Sequence, residues 1–152
     1  MAALPSPQKL ELSELASIFR ETQNPAAAWL AFHLAKENNL PVPDIVAAEI
    51  DRFAAEVSKP LLAAWNGDQL AKITTKGITE AWGSGRGMKP AQDLRRSRRD
   101  GSIVAHYWDK TNEASANDAK AAVMKDYNLS DKSIEQLLTT ARKTRDPDTP
   151  EF

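Results

Sequence analysis

Wherever this chain turns apolar it does so at spacings of three and four. Leu15, Ile18 and Phe19 keep that rhythm near the start, Val46, Ile50, Phe53, Ala54 and Val57 keep it in the middle, and Ile134, Leu137, Leu138 and Ala141 keep it near the end. A 3.6-residue period gathers such residues on one face of an α-helix, whereas a half-buried strand alternates every second residue. No stretch alternates in that way between turn signals, so the expected fold class is all-α.

Proline and glycine mark the joints. Residues 1–9, with Pro5 and Pro7, read as a loose tail, and a first amphipathic helix begins near Leu12 with Ser13 as a possible cap. Asn24-Pro25 is a start signal, because Asn caps and proline fits the first helical position without losing a needed bond. The helix that follows, to about Asn38, is apolar on most sides, with His33, Lys36 and Glu37 as its polar stripe, and is expected to be the most buried of this half. Pro41 and Pro43 form a rigid corner. The next helix is expected to kink or end at Pro60, with Leu61, Leu62 and Trp65 continuing the apolar surface to an Asn66-Gly67 stop. Leu70, Ile73, Ile78, Ala81 and Trp82 suggest a further helix, weakened by Thr74, Thr75 and Gly77.

Glycines at 83, 85 and 87 make the stretch before Pro90 a linker. The organisation expected is a helical N-terminal domain over residues 10–83, a basic glycine-rich hinge over 84–90, a small trihelical domain over 91–145 and a second tail over 146–152. In the trihelical part, Leu94, Val104, Tyr107, Trp108 and Thr111 lie near one side of a first helix that Asp100-Gly101 can split. Ser115, three residues before Asp118, can cap the second.

Charge narrows the functional classes. The net charge of -1 hides a pattern: five Lys/Arg against eight Asp/Glu in residues 1–66, eight against three in 67–99, and seven against ten in 100–152. A basic middle can steer an anionic partner locally. With no cysteine, disulfides, thiolate nucleophiles and cysteine-ligated zinc are excluded. No secretory leader pattern and no apolar run of membrane-spanning length is present, which points to a cytoplasmic protein without a membrane role.

The stretch 118–145 reads as helix, turn, helix. Asn128 suits the turn because Asn tolerates positive φ, Leu129 can plug the corner, and Ser130 can cap the second helix. This segment resembles helix-turn-helix DNA-binding proteins, with Met124 where a small residue is usual and Asn128 in place of the turn glycine. The resemblance implies that the second helix enters the major groove, with Lys132, Ser133 and Gln136 facing base edges while Arg142 and Lys143 suit phosphate; Asp131 and Glu135 oppose it. The bland alternative is a helical hairpin that only packs.

Arg95, Arg96, Arg98 and Arg99 stand at the front of the preceding helix, with Arg86 and Lys89 adding to the same region and only Asp93 and Asp100 offsetting it. Arg95, Arg98 and Arg99 share a helical face and can grip a phosphate backbone or an acidic protein surface. The glycine run is no Walker loop, since Lys89 is followed by proline and no strand precedes it. His33 and His106 have no second ligand at metal spacing, and no nucleophile arrangement stands out. Trp29, Trp65, Trp82 and Trp108 occupy apolar helical positions and are expected in the core, with Trp82 the candidate for an exposed anchor. The sequence thus points to a non-enzymatic, cofactor-free DNA-binding or transcription-associated protein of a bacterium or phage. The rival is a protein-interaction module, an adaptor or inhibitor, and a homodimer is possible in either case.

Overall fold

The computed structural model describes residues 3–83 and 88–144, with no side chain described beyond Arg142. Among these residues there are seven helices and no strand, so the chain is all-α. It divides into two compact units, Met1–Leu94 and Arg95–Phe152.

In the first unit, α1 (Pro7–Thr22) starts before the position expected from Leu12, so Pro7 to Lys9 belong to a helix and not to a tail. Ser6 is its cap, its Oγ accepting from the Lys9 amide at 3.3 Å, and Pro7 sits where its missing N–H costs nothing. Ser13 is therefore interior. α2 (Pro25–Glu37) begins as the Asn24-Pro25 pair predicts. Its inward face is not its large residues but Ala27, Ala28, Ala31 and Ala35, all fully buried. Alanine's single methyl group lets a neighbouring helix approach closely, and Leu12, Leu15, Ala16, Ile18 and Phe19 of α1 join the same core. The bulkier Trp29, Phe32 and Leu34 are half-buried around it.

α3 (Asp44–Trp65) follows the proline corner and contributes Val46 to this core. It neither stops nor is interrupted at Pro60 but runs on to Trp65, ending at Asn66 with Gly67 at φ 99°. α4 (Thr75–Trp82) is shorter than the apolar pattern from Leu70 suggested. The reason is Thr74, whose hydroxyl accepts from the Gly77 amide at 3.0 Å and so starts the helix there, leaving Leu70 and Ile73 in the connecting segment. Arg52 of α3, bonded to Glu49 at 2.8 Å, also donates to the Ala81 carbonyl at 2.7 Å, which fixes α4 back along α3.

α5 (Pro90–Thr111) is one helix, continuous through Asp100-Gly101, so the expected break does not occur. The division of the chain into two units falls between its residues Leu94 and Arg95. Leu94 packs on the first core, whereas Ile103 and Tyr107 belong to a second. α6 (Ala116–Tyr127) and α7 (Asp131–Thr144) supply the rest of that core: Ala119, Val123, Ile134 and Leu138, flanked by Met124, Tyr127, Leu129 and Leu137. The inward residue on α5 is Ile103, not Val104, and Trp108 is 42% exposed against Tyr107. Trp65, at 87% exposure, also lies outside any core.

Candidate nucleic-acid interface

The turn between α6 and α7 is built by three residues. Asn128 takes the left-handed conformation at φ 53° and ψ 53°, which ends α6 and lets the Leu129 amide reach the Met124 carbonyl at 2.9 Å. Leu129 then packs on the core between the helices. Ser130 starts α7: its Oγ accepts from the Ser133 amide at 3.2 Å and donates to the Ser133 hydroxyl at 2.9 Å. Ser133 is half-buried, and its hydroxyl serves the cap before it can serve a base edge.

Because Ile134 and Leu138 face the core, the opposite side of α7 is set by helical geometry at 100° per residue. Lys132, Gln136 and Thr139 occupy that outward side and are exposed. Asp131 and Glu135 fall on one flank, and both are held by Lys120 of α6, whose Nζ lies 2.6 Å from each. These hydrogen bonds raise the Lys120 ammonium above the ordinary lysine range, Asp131 contributing most. The two acids that oppose phosphate in the sequence reading are thus turned aside and partly neutralised, and the outward face carries no carboxylate. Arg142 is exposed but belongs to the Glu135 flank, seven residues on, rather than to the Lys132–Gln136 line. The side chain of Lys143 lies outside the described residues.

Arg95, Arg96, Arg98 and Arg99 are all exposed, and among the described residues none is in an ion pair. Arg95, Arg98 and Arg99 spread over about 100° of α5 and about 6 Å of its length. Asp93 and Asp100 flank them; burial pushes the Asp100 carboxyl up, against the pull of Arg99 and Arg96. Lys89 is exposed and lies in the first unit, where its amide donates to Asp93 at 3.2 Å as part of the start of α5. Arg86 and the rest of the glycine run to position 87 lie outside the described residues. The second unit therefore contains the four arginines, Lys132, Gln136 and Arg142, whereas Lys89 belongs to the first.

His106 sits between Tyr127, whose hydroxyl is 3.3 Å from Nδ1, and Asp126, 3.8 Å from Nε2, an arrangement that ties α5 to α6. Among the described residues no three His, Asp or Glu side chains converge on a metal position, and no helix is long and apolar enough to cross a membrane. An open groove of about 470 Å³ beside α1 is lined by Leu12, Ala16, Leu40 and Pro41 with Lys9 and Arg20 at its edge, and contains no acid. Sequence reasoning missed Lys120, whose role depends on how α6 crosses α7 and is not visible in any local motif. Comparison with protein-family models, with curated proteins and with solved structures found no match.

Proposed function

We propose that the Arg95–Phe152 unit binds duplex DNA without catalysing a reaction, as a transcription-associated protein would. In this reading the arginines of α5 neutralise phosphates and the outward face of α7 enters the major groove, with Lys132 and Gln136 nearest the base edges. The observation that supports it best is the capture of Asp131 and Glu135 by Lys120, since it holds both carboxylates on the flank of α7, away from the outward line, and offsets one of their two charges. Ser133 has a smaller part than its position suggests, because its hydroxyl is engaged with Ser130. The unpaired arginines equally suit an acidic protein surface, and the two partners differ in counterion release: only duplex DNA gives a log-log salt slope near -0.9 for each phosphate neutralised. Fluorescence anisotropy with a labelled generic duplex tests the proposal. Binding that weakens steeply from about 50 to about 200 mM salt supports it, and no binding at about 50 mM salt overturns it.

A further inference from the structure

The far end of the α3–α4 hairpin is apolar on every side. After Pro60, residues Leu61, Leu62, Ala63, Ala64 and Trp65 are consecutive, and at 100° per residue five apolar side chains encircle the helix. One neighbouring helix covers one side only, so the remainder stays bare: Leu61 is 49% exposed, Leu62 60% and Trp65 87%. The segment joining α3 to α4 adds Leu70 at 88% and Ile73 at 43%, and the second turn of α4 adds Ile78 at 42%. Since Arg52 fixes the C-terminal end of α4 to the middle of α3, Leu61, Leu62, Trp65, Leu70 and Ile73 sit toward the tip of the hairpin, with Ile78 further back along α4. Their exposed areas sum to on the order of 700 Å², the scale of the ~800 Å² that each partner contributes to a standard interface.

The surrounding charge indicates the partner. Between residues 56 and 80 there are three cations, Lys59, Lys72 and Lys76, and three acids, Glu56, Asp68 and Glu80. Lys59 is paired with Glu56 at 2.7 Å and Lys76 lies 3.8 Å from Glu80, so the rim is neutral and carries both signs. Such a rim offers nothing to select a strongly acidic or basic partner, whereas a two-fold interface requires a surface complementary to itself. We propose that this face joins two copies of the chain, Trp65 and Leu62 forming its centre. The assignment is independent of the DNA reading, which concerns the other unit.

Sedimentation velocity of the full chain from about 1 to about 100 μM tests it. The wild type should sediment at twice the monomer mass over the upper part of that range, with Trp emission shifting to the blue as Trp65 leaves water. Trp65→Glu combined with Leu62→Glu should weaken dimerisation by ~100-fold or more. Circular dichroism should stay helical, because neither side chain is in a core. Leu70→Glu, placed between the helices, gives a second reading that touches no helix and should also weaken the dimer. A wild type that stays monomeric throughout overturns the proposal, as does a dimer that survives all three substitutions.

Discussion

Lys120 Nζ stands 2.6 Å from Glu135 Oε1, a contact between α6 and α7 that also reaches Asp131 at the same distance. One cation thereby orients two carboxylates on the flank of α7 and leaves the outward line of Lys132, Gln136 and Thr139 free of negative charge. Lys120→Met keeps the aliphatic stem but releases both acids. Binding to duplex DNA should weaken at low salt, with a smaller difference at high salt where released charges are screened. The stability that Lys120 contributes has a definite pH window: its folded-state pKa is raised, so the contribution is complete below the ordinary lysine range and disappears as pH rises through the raised value. Urea melts of wild type and variant should accordingly differ by a constant amount from neutral to mildly alkaline pH and converge only in strong alkali.

Asp100 behaves in the opposite sense. Its carboxyl is pushed up by burial, which outweighs Arg99 and Arg96. The folded state therefore favours the protonated form, and its ionisation works against folding above the raised pKa; as pH falls through that value the penalty is relieved. Asp100→Asn should be more stable than the wild type at pH 7, with the gap closing toward acid pH. The same change removes one of the two acids that flank the four exposed arginines, so DNA affinity at fixed low salt should rise.

Asn128 is held at φ 53°, a conformation that costs an ordinary residue roughly 1–2 kcal/mol. Asn128→Ala should destabilise by about 1 kcal/mol, while Asn128→Gly should be neutral or slightly stabilising because glycine reaches the left-handed region without penalty. Chemical denaturation followed at 222 nm reads both. Equal loss in the two variants would show that the side chain, and not the backbone conformation, matters at this turn.

Asn24 is the buried polar residue of the first core. Its Oδ1 accepts from the Ala26 amide at 3.0 Å and its Nδ2 donates to the Pro90 carbonyl at 2.9 Å, across 66 residues of chain. Asn24→Ala should cost about 2–3 kcal/mol, roughly 1 for the cap and the rest for a carbonyl left without its donor. Asn24→Asp should recover the cap but not the donor. Both are readable from the unfolding midpoint, and a loss confined to about 0.5 kcal/mol in the alanine variant would contradict the bond to Pro90.

Local signals proved legible, and long-range ones did not. Asn24-Pro25, Ser115, Asn128 and Ser130 each act within a few residues, so the α2 start, the α6 cap and the α6–α7 turn could be read directly. Thr74 and Ser6 were equally local, yet the apolar pattern is longer than the helix at α4 and shorter than it at α1, which moved two boundaries. Burial was harder. The four alanines of α2 and Ile103 of α5 are buried because of what crosses them, whereas Trp65, Leu61 and Leu62 have the composition of a core and nothing to pack against. Pro60 and Gly101 are helix breakers by propensity, and neither breaks its helix. In the candidate site, the exposed arginines were visible from spacing alone. The Lys120 bridge was not, since its partners lie 11 and 15 residues away on another helix.

The most direct measurement is the salt dependence of duplex binding by wild type, the Arg98→Ala and Arg99→Ala double variant, and Gln136→Ala. If the α5 arginines contact phosphates, the log-log slope of the double variant should be flatter by up to about two units, with all sequences weakened alike. Gln136→Ala should leave the slope nearly unchanged and reduce preference for a selected site by roughly 1–3 kcal/mol. A double variant whose slope and affinity match those of the wild type would contradict DNA binding through this face.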